Sequence, residues 1–272
     1  APMVIDPTTR ISYRELDSTT RELAAALVDA GVNKGTRVGL IMPNGARWVQ
    51  VAIAVTRIGA VLVPLSTLLT AGELVAQLRT ASVQFLVSVE EFRGHRYLDD
   101  LETTRRSELP ALRRVWSAGQ LDDARASERA RRIVDAMTAT VTAADPLVIM
   151  FTSGSSGAPK GVLHSHGSAL GAVGSGLAAR CITAETRLYL PMPFFWVGGF
   201  GSGILSALLA GATLVTEQIP RPETTLRLLE RERVTLFRGW PDQAETLARP
   251  ASSVGVDLSE LRPGSLEALL PP

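Results

Sequence analysis

The ten residues Thr152-Ser-Gly-Ser-Ser-Gly-Ala-Pro-Lys-Gly161 contain three glycines, four hydroxyl side chains and one lysine. Glycine lets the backbone bend until successive N–H groups face one way, which makes a cradle for anionic oxygens. Hydroxyls add donors, and a lysine adds a mobile positive charge. Phosphate is the natural candidate for that combination. The lysine also stands out by rarity, because Lys34 and Lys160 are the only lysines among 28 basic residues. Ordinary loop residues such as glycine and serine would equally build a plain surface turn, and composition alone leaves that reading open.

The spacing separates this loop from two common phosphate binders. The nucleotide-triphosphatase loop has glycine before its lysine and serine or threonine after it, whereas here the neighbours are Pro159 and Gly161. The dinucleotide pattern glycine-x-glycine-x-x-glycine is absent from this site. Downstream, Val162-Leu-His-Ser-His166 places His164 and His166 two residues apart, but no cysteine or acid lies nearby to complete a metal site, so none is expected. Farther on, Pro193-Phe-Phe-Trp-Val-Gly-Gly199 and Val234-Thr-Leu-Phe-Arg-Gly-Trp-Pro241 bring bulky aromatic residues close to glycines.

These groups need a scaffold, and the apolar periodicity supplies one. Leu147–Phe151 reads as a buried strand running into the glycine-serine loop. Before it, Leu16, Leu23, Ala24 and Leu27 sit at helical spacing, and Gly31 follows as a stop. Val38–Met42, Val61–Val63 and Phe85–Val89 read as strands, with helices over Trp48–Ile58 and Leu74–Thr80. Strands alternating with helices predict parallel sheet with helices on its faces. Glu90–Asp135 is rich in arginine and acid and is expected to be an exposed connection with some helix, and with Arg114–Trp116 as its one brief strand. From Asp145 to Arg180 the only formal charge in between is Lys160, so that segment is expected to be substantially buried. Leu188–Thr216 carries no formal charge, but its glycines and prolines suit a loop, helix and strand better than a membrane span. Later elements are a helix over Ile204–Leu209, a strand over Ala212–Val215, a helix over Pro222–Arg231 and a strand over Val234–Phe237.

At Thr152–Lys160 the sequence resembles the phosphate-binding signature of the adenylate-forming enzymes, the group of acyl-CoA synthetases, luciferases and peptide-synthetase adenylation domains. Other segments resemble the same family in order: SYRELDSTTRELAAALVDAGVNKGTRVGLIMPN, RIGAVLVPLSTLLTAGELVAQL, PMPFFWVGG and LLAGATLV. The likeness runs from Thr9 to about Leu261. It implies a layered α/β fold of parallel-rich sheets flanked by helices, that of the acetyl-CoA synthetase-like large domain. Residues 1–140 would form a first α/β portion with its charged connection, and residues 141–272 the portion bearing the phosphate loop and acyl pocket.

The resemblance also implies a chemistry: ATP and a carboxylic acid give an acyl-adenylate, and the acyl group then passes to coenzyme A. Carried over residue by residue, Thr152, Ser153, Ser155 and Ser156 would contact phosphate, Gly154 and Gly157 would allow the bend, and Lys160 would act as the catalytic cation on the leaving phosphates. His166 falls at the family's more regular histidine, near the start of a helix. Trp196 stands where the family commonly has histidine, and an indole has a donor but cannot accept a proton. It is expected to be an aromatic plug of the acyl pocket, with Phe195, Gly239 and Trp240 close by. Phe194 and Phe195 read as core at this spacing.

Several family features are not found. There is no tyrosine-glycine-x-threonine-glutamate string, whose acid is associated with Mg²⁺ in the family. There is no threonine-glycine-aspartate string for ribose, and no lysine-bearing C-terminal portion; Lys34 matches a surface turn instead. The chain alone is therefore expected not to complete adenylation, its partner being the missing C-terminal portion of the same protein. A non-catalytic nucleotide-binding or assembly protein built on a diverged domain is the alternative.

Bulk properties narrow the rest. The chain has 272 residues, 46% of them hydrophobic, which excludes a disordered tail or a small disulfide-stapled module. A net charge of +1 predicts no nucleic-acid or polybasic membrane partner. A single cysteine, Cys181, and no visible secretory leader suit a cytoplasmic protein. Nothing in the sequence fixes or excludes a homo-oligomer. Phe194, Phe195, Trp196 and Trp240 favour an apolar acyl group, fatty or ring-bearing, over an amino acid.

Overall fold

The computed structural model describes residues 1–152 and 159–262. In chain order the first elements are β1 (Pro2–Ile5), β2 (Arg10–Ser12), α1 (Tyr13–Asp29), β3 (Arg37–Ile41), α2 (Ala46–Arg57), β4 (Val61–Pro64), α3 (Ala71–Thr80) and β5 (Phe85–Ser88). Then come α4 (Tyr97–Glu102), β6 (Arg114–Ser117), α5 (Ala118–Asp122), α6 (Glu128–Ala139), β7 (Pro146–Thr152), β8 (Lys160–Ser165) and α7 (His166–Ser175). The last are β9 (Arg187–Tyr189), α8 (Ser206–Ala210), β10 (Thr213–Val215), α9 (Pro222–Arg231), β11 (Leu236–Phe237) and α10 (Pro241–Val254). A π-helical turn, Gly198–Leu205, precedes α8.

The chain divides into two compact units that interleave in sequence. One comprises Glu15–Pro43 and Arg47–Ala169; the other comprises Ala1–Arg14, Asn44–Ala46 and Leu170–Pro272.

The first of these is built on a six-stranded sheet of order β6-β5-β3-β4-β7-β8. All neighbours are parallel except β7 and β8, which are antiparallel. Strands β4 and β5 are buried along their whole length, as expected of parallel strands covered on both faces. Gly39 in β3 is required by close packing, since a Cβ there would sit 2.8 Å from the Leu86 side chain. The charged stretch predicted to be an exposed connection does contain the strand expected at Arg114–Trp116. It pairs with β5 at the sheet edge, where the Trp116 ring stacks on Phe85 at 5.5 Å. Helices α4, α5 and the first part of α6 supply the helix expected there.

The other unit is built on a five-stranded sheet of order β11-β9-β10-β1-β2. Strands β11, β9, β10 and β1 are parallel, and β2 returns antiparallel to β1. Helices α9 and α10 pack over a core that includes Ile5, Tyr189, Val215, Leu226, Phe237 and Leu247. Helix α9 has Pro222 as its first residue, which suits a position whose N–H would have no intrahelical partner.

Two expectations need revision. The segment between Asp145 and Arg180 is not substantially buried: β8 is an edge strand, and Val162 and Leu163 are 41% and 58% exposed. Lack of formal charge therefore reflects small and hydroxyl residues there as much as burial. The helix expected over Ile204–Leu209 begins earlier, at Gly198, as the π-helical turn. Leu188–Thr216 resolves into strand, turn, helix and strand, and no described helix is long and apolar enough to cross a membrane.

Candidate functional site

Strands β7 and β8 form a hairpin whose last register pair is Thr152 opposite Lys160. Opposed residues in an antiparallel pair carry their side chains about 5 Å apart on one face. The two ends of the glycine-serine loop are thus held side by side by the ladder itself. Both side chains are exposed, and no described residue pairs with the Lys160 ammonium. Beneath them, Phe151 lies opposite Gly161, and a Cβ at Gly161 would fall 2.8 Å from Ile149. Glycine after the lysine lets the apolar underside of the hairpin close. Ser153, Gly154, Ser155, Ser156 and Gly157 lie outside the described residues.

The other lysine anchors the opposite end of the same hairpin. Lys34 Nζ lies 2.7 Å from Asp145 Oδ2, next to the first residue of β7, and donates to the Thr140 carbonyl at 2.7 Å. The Asp145 carboxylate also accepts from Thr142 N at 2.6 Å. Lys34 first, then the Thr142 N–H, hold the Asp145 carboxyl down to about 2. His166, the first residue of α7, donates its N–H to the Asp145 carbonyl at 2.9 Å. Its Nε2 is buried without a hydrogen-bond partner. Burial holds the imidazole below its ordinary pKa, against the opposing pull of the Asp145 charge. A neutral ring is the consequence. Its hydrogen bond to the fold runs through the backbone rather than the ring.

The aromatic residues gather in the other unit. Phe194 is fully buried and Phe195 is 8% exposed, as core residues should be, while Trp196 is 44% and Trp240 38% exposed. The Trp196 and Trp240 rings meet edge to face at 5.8 Å, and Phe195 meets Trp196 in the same manner at 5.7 Å. Such edge-to-face geometry is the favoured arrangement of aromatic quadrupoles. The turn carrying Trp196 is tight. A Cβ at Gly199 would fall 2.0 Å from the Pro193 carbonyl oxygen, so only glycine fits. Gly239 is bordered by side chains rather than backbone, with a hypothetical Cβ 2.5 Å from Gln243 Oε1 and 3.1 Å from Pro191. At the carboxyl ends of β9 and β11 lies a cavity of about 190 Å³, lined by Tyr189, Pro191, Thr225, Phe237, Gln243 and Leu247.

Two residues that sequence reading passed over lie in the same unit. Asn44 is buried, and its side chain holds the Met192 carbonyl and the Phe194 N–H. Glu217 is 5% exposed, and its Oε1 accepts from Tyr189 Oη at 2.7 Å and Thr225 Oγ1 at 2.6 Å. Burial pushes the Glu217 carboxyl up, with both hydrogen bonds opposing that shift. An acid two residues past the apolar run Ala212–Val215 was the only available signal for Glu217. Asn44, in a Pro-Asn-Gly turn, looked like turn chemistry alone.

The structure thus brings Thr152 to Lys160 and, separately, Phe195 and Trp196 to Trp240. These two groups belong to different units. Among the described residues no three His, Cys, Asp or Glu side chains cluster as a metal site would require.

The AMP-binding enzyme family matches residues 1–271. A 3-(7a-methyl-1,5-dioxo-octahydro-1H-inden-4-yl)propanoyl:CoA ligase of Mycobacterium tuberculosis is 35% identical over 93% of this chain and 51% of its own length. The medium-chain fatty-acid–CoA ligase of Escherichia coli is 29% identical over 92% of this chain and 45% of its own. The chain therefore spans about half the length of the curated relatives it matches. Among solved structures, the N-terminal domain of FACL13 from Mycobacterium tuberculosis superposes with a TM-score of 0.81 at 23% identity, over 96% of this chain and 64% of that one. With a match over almost every residue and a shared architecture, the chain belongs to the AMP-binding enzyme family and has the acetyl-CoA synthetase-like large-domain fold.

Proposed function

We propose that this chain serves the ATP-dependent activation of an apolar carboxylic acid and its transfer to coenzyme A. In the first step a carboxylate oxygen bonds to the α-phosphorus of ATP, the bond to the bridging oxygen breaks, and pyrophosphate leaves. In the second, the coenzyme A sulfur bonds to the acyl carbon and AMP leaves. The observation that carries this reading is the Thr152–Lys160 pair: the ladder holds together a hydroxyl and an ammonium that has no partner among the described residues, where the glycine-serine loop begins and ends. Charge neutralisation at a leaving pyrophosphate needs such a cation, delivered without the cost of first breaking an internal ion pair. Lys160 is the proposed catalytic cation, and Thr152, Ser153, Gly154, Ser155, Ser156 and Gly157 the proposed phosphate contacts. His166 is proposed to stand near the adenylate as a neutral ring. No described cluster of acids fits Mg²⁺, so no step here is routed through the metal.

The substrate reading rests on the aromatic turn. Trp196 and Trp240 present half-exposed indole faces, which favour an apolar partner and offer no carboxylate to a substrate amine. Trp196 is proposed to plug or gate the acyl pocket, with Phe195, Gly239 and Trp240 shaping its wall. The names of two relatives, a fused-ring propanoyl:CoA ligase and a medium-chain fatty-acid–CoA ligase, fit an acid of that kind. Turnover is proposed for the protein that joins this chain to the remaining length its relatives possess; the chain alone is proposed to bind nucleotide without completing the reaction.

A non-catalytic nucleotide-binding role is the second reading, favoured by one observation: Trp196 replaces a histidine with a side chain that cannot accept a proton. The test is pyrophosphate release by the full-length protein against a panel of acids. Medium-chain and ring-bearing acids should be the best substrates. Preference for a charged amino acid would overturn the substrate reading, and failure of every acid to elicit release would favour the second.

A further inference from the structure

Asn44 lies in the turn after β3 and is 7% exposed. Its carboxamide reaches across the turn that follows β9. Nδ2 donates to the Met192 carbonyl at 2.9 Å, and Oδ1 accepts from the Phe194 N–H at 2.8 Å. One side chain thereby satisfies an acceptor and a donor two residues apart, as a neighbouring strand would. Nδ2 also lies 3.5 Å from Thr216 Oγ1, at the end of β10.

The clamp is itself fixed. Two residues on, Ala46 N donates to Asp6 Oδ2 at 3.0 Å, while Asp6 Oδ1 accepts from Thr8 N at 2.9 Å and Thr9 N at 2.8 Å. Beyond the clamp the path to the indole is short. Phe195 alone separates Phe194 from Trp196, and Trp196 N donates to the Pro193 carbonyl at 3.1 Å. The same carbonyl oxygen is the atom against which Gly199 packs. On the other side of the pair, Trp240 N donates to Gln243 Oε1 at 3.0 Å, while both indoles themselves remain more than a third exposed.

We propose that Asn44 is a positioning residue: by holding Met192 and Phe194 it sets where Trp196 stands against Trp240, and so which acyl groups the pair accepts. The second half of that statement rests on the acyl-pocket reading given above, and the first does not. Both strong hydrogen bonds of the Asn44 carboxamide go to backbone. Its influence passes through three residues of backbone to a wall whose displacement by about 1 Å can cost a hundredfold in a well-fitted site.

The test uses the 272-residue chain and two variants. Asn44→Asp keeps an acceptor for the Phe194 N–H but loses the donor to Met192; Asn44→Ser shortens the side chain. The chain has four tryptophans, of which Trp48 and Trp116 are buried at 0% and 4% exposure, so acrylamide quenching reports chiefly on Trp196 and Trp240, whose edge-to-face contact also gives a far-ultraviolet exciton couplet. Both variants should lose roughly half or more of the couplet and gain quenching, with a cooperative thermal transition retained. A Trp196→Phe change should remove the couplet and leave Asn44→Ser nothing further to alter. In a second arm, the Kd of a 3-cyclohexylpropanoyl sulfamoyl-adenosine should rise about tenfold in Asn44→Ser but not when Trp196→Ala is already present. An unchanged couplet in both variants, additive effects of Asn44 and Trp196, or global unfolding of both variants would each overturn the proposal. If the unaltered chain fails to bind the probe, the acyl-pocket reading falls, and the couplet still decides the positioning role.

Discussion

The two residues that bracket the glycine-serine segment and the turn after β9 both stand at the carboxyl end of a strand, yet their described residues are held in different ways. Thr152 and Lys160 are exposed, and among the described residues the β7–β8 ladder is what joins them. The turn after β9 is bounded by buried Phe194 and Phe195, clamped by the Asn44 carboxamide and tightened until only glycine fits at position 199. The difference follows from what each is proposed to hold. An anion is recognised by N–H groups and charge, so its site needs donors left unpaired. An apolar acyl group has no directional handle, so discrimination needs a wall whose shape is fixed beforehand.

The sharpest break of this comparison is Gly199→Ala. A methyl placed 2.0 Å from the Pro193 carbonyl must displace the turn, and a loss of about 3 kcal/mol is expected in urea unfolding. The corresponding change beside the polar turn, Thr152→Ala, should leave stability within about 0.5 kcal/mol, because the side chain is exposed. Equal losses would mean that the two turns are not held differently. Next in size, Trp240→Ala removes one half of the edge-to-face pair. The affinity for an apolar acyl-adenylate analogue should fall about tenfold in a calorimetric titration, with ATP affinity unaltered.

Ionisable groups sharpen the contrast further. The Glu217 carboxyl is raised above its ordinary 4.5 by burial, so its contribution to stability is fully present below 4.5 and is lost as pH rises through its folded value. The stability of Glu217→Gln relative to the unaltered chain should therefore increase as pH climbs above 4.5, measured by denaturant midpoints at several pH values. Asp145, at the base of the β7–β8 hairpin, runs the other way. Held down to about 2 by Lys34 and the Thr142 N–H, it contributes stability above 3.8 that is lost as pH falls toward 2. Lys34→Ala should move the acid unfolding limb to slightly higher pH, the smallest effect of the series.

Much of this was legible in the sequence, and for physical reasons. Pro222–Arg231 is a helix with the bounds its pattern gives, and the buried strands at 38–41, 61–63 and 85–88 stand where uninterrupted apolar runs placed them. Local periodicity encodes burial on one face, and these elements are local. What escaped was non-local. Met3, Val4 and Ile5 form β1 only because Val4 pairs with Leu214, some two hundred residues away. Asn44 is a clamp only because Met192 and Phe194 arrive beside it. The edge position of β8 likewise decides that Val162 and Leu163 are exposed, and no count of charges within the segment could show which strand would be last. At the candidate site, the residue types of the glycine-serine loop were evident from spacing, whereas the encounter of Trp196 with Trp240 depended on two turns that adjoin only in the folded sheet.

The central claim is that Lys160, and not the chain's other lysine, meets the phosphates of ATP. Calorimetric titration of ATP into the unaltered chain, Lys160→Ala and Lys34→Ala tests it directly. Lys160→Ala should weaken binding by about tenfold or more with an unchanged melting temperature, because its ammonium has no described partner to lose. Lys34→Ala should bind as the unaltered chain does. Equal affinity in all three would contradict the claim and remove Lys160 from the nucleotide site.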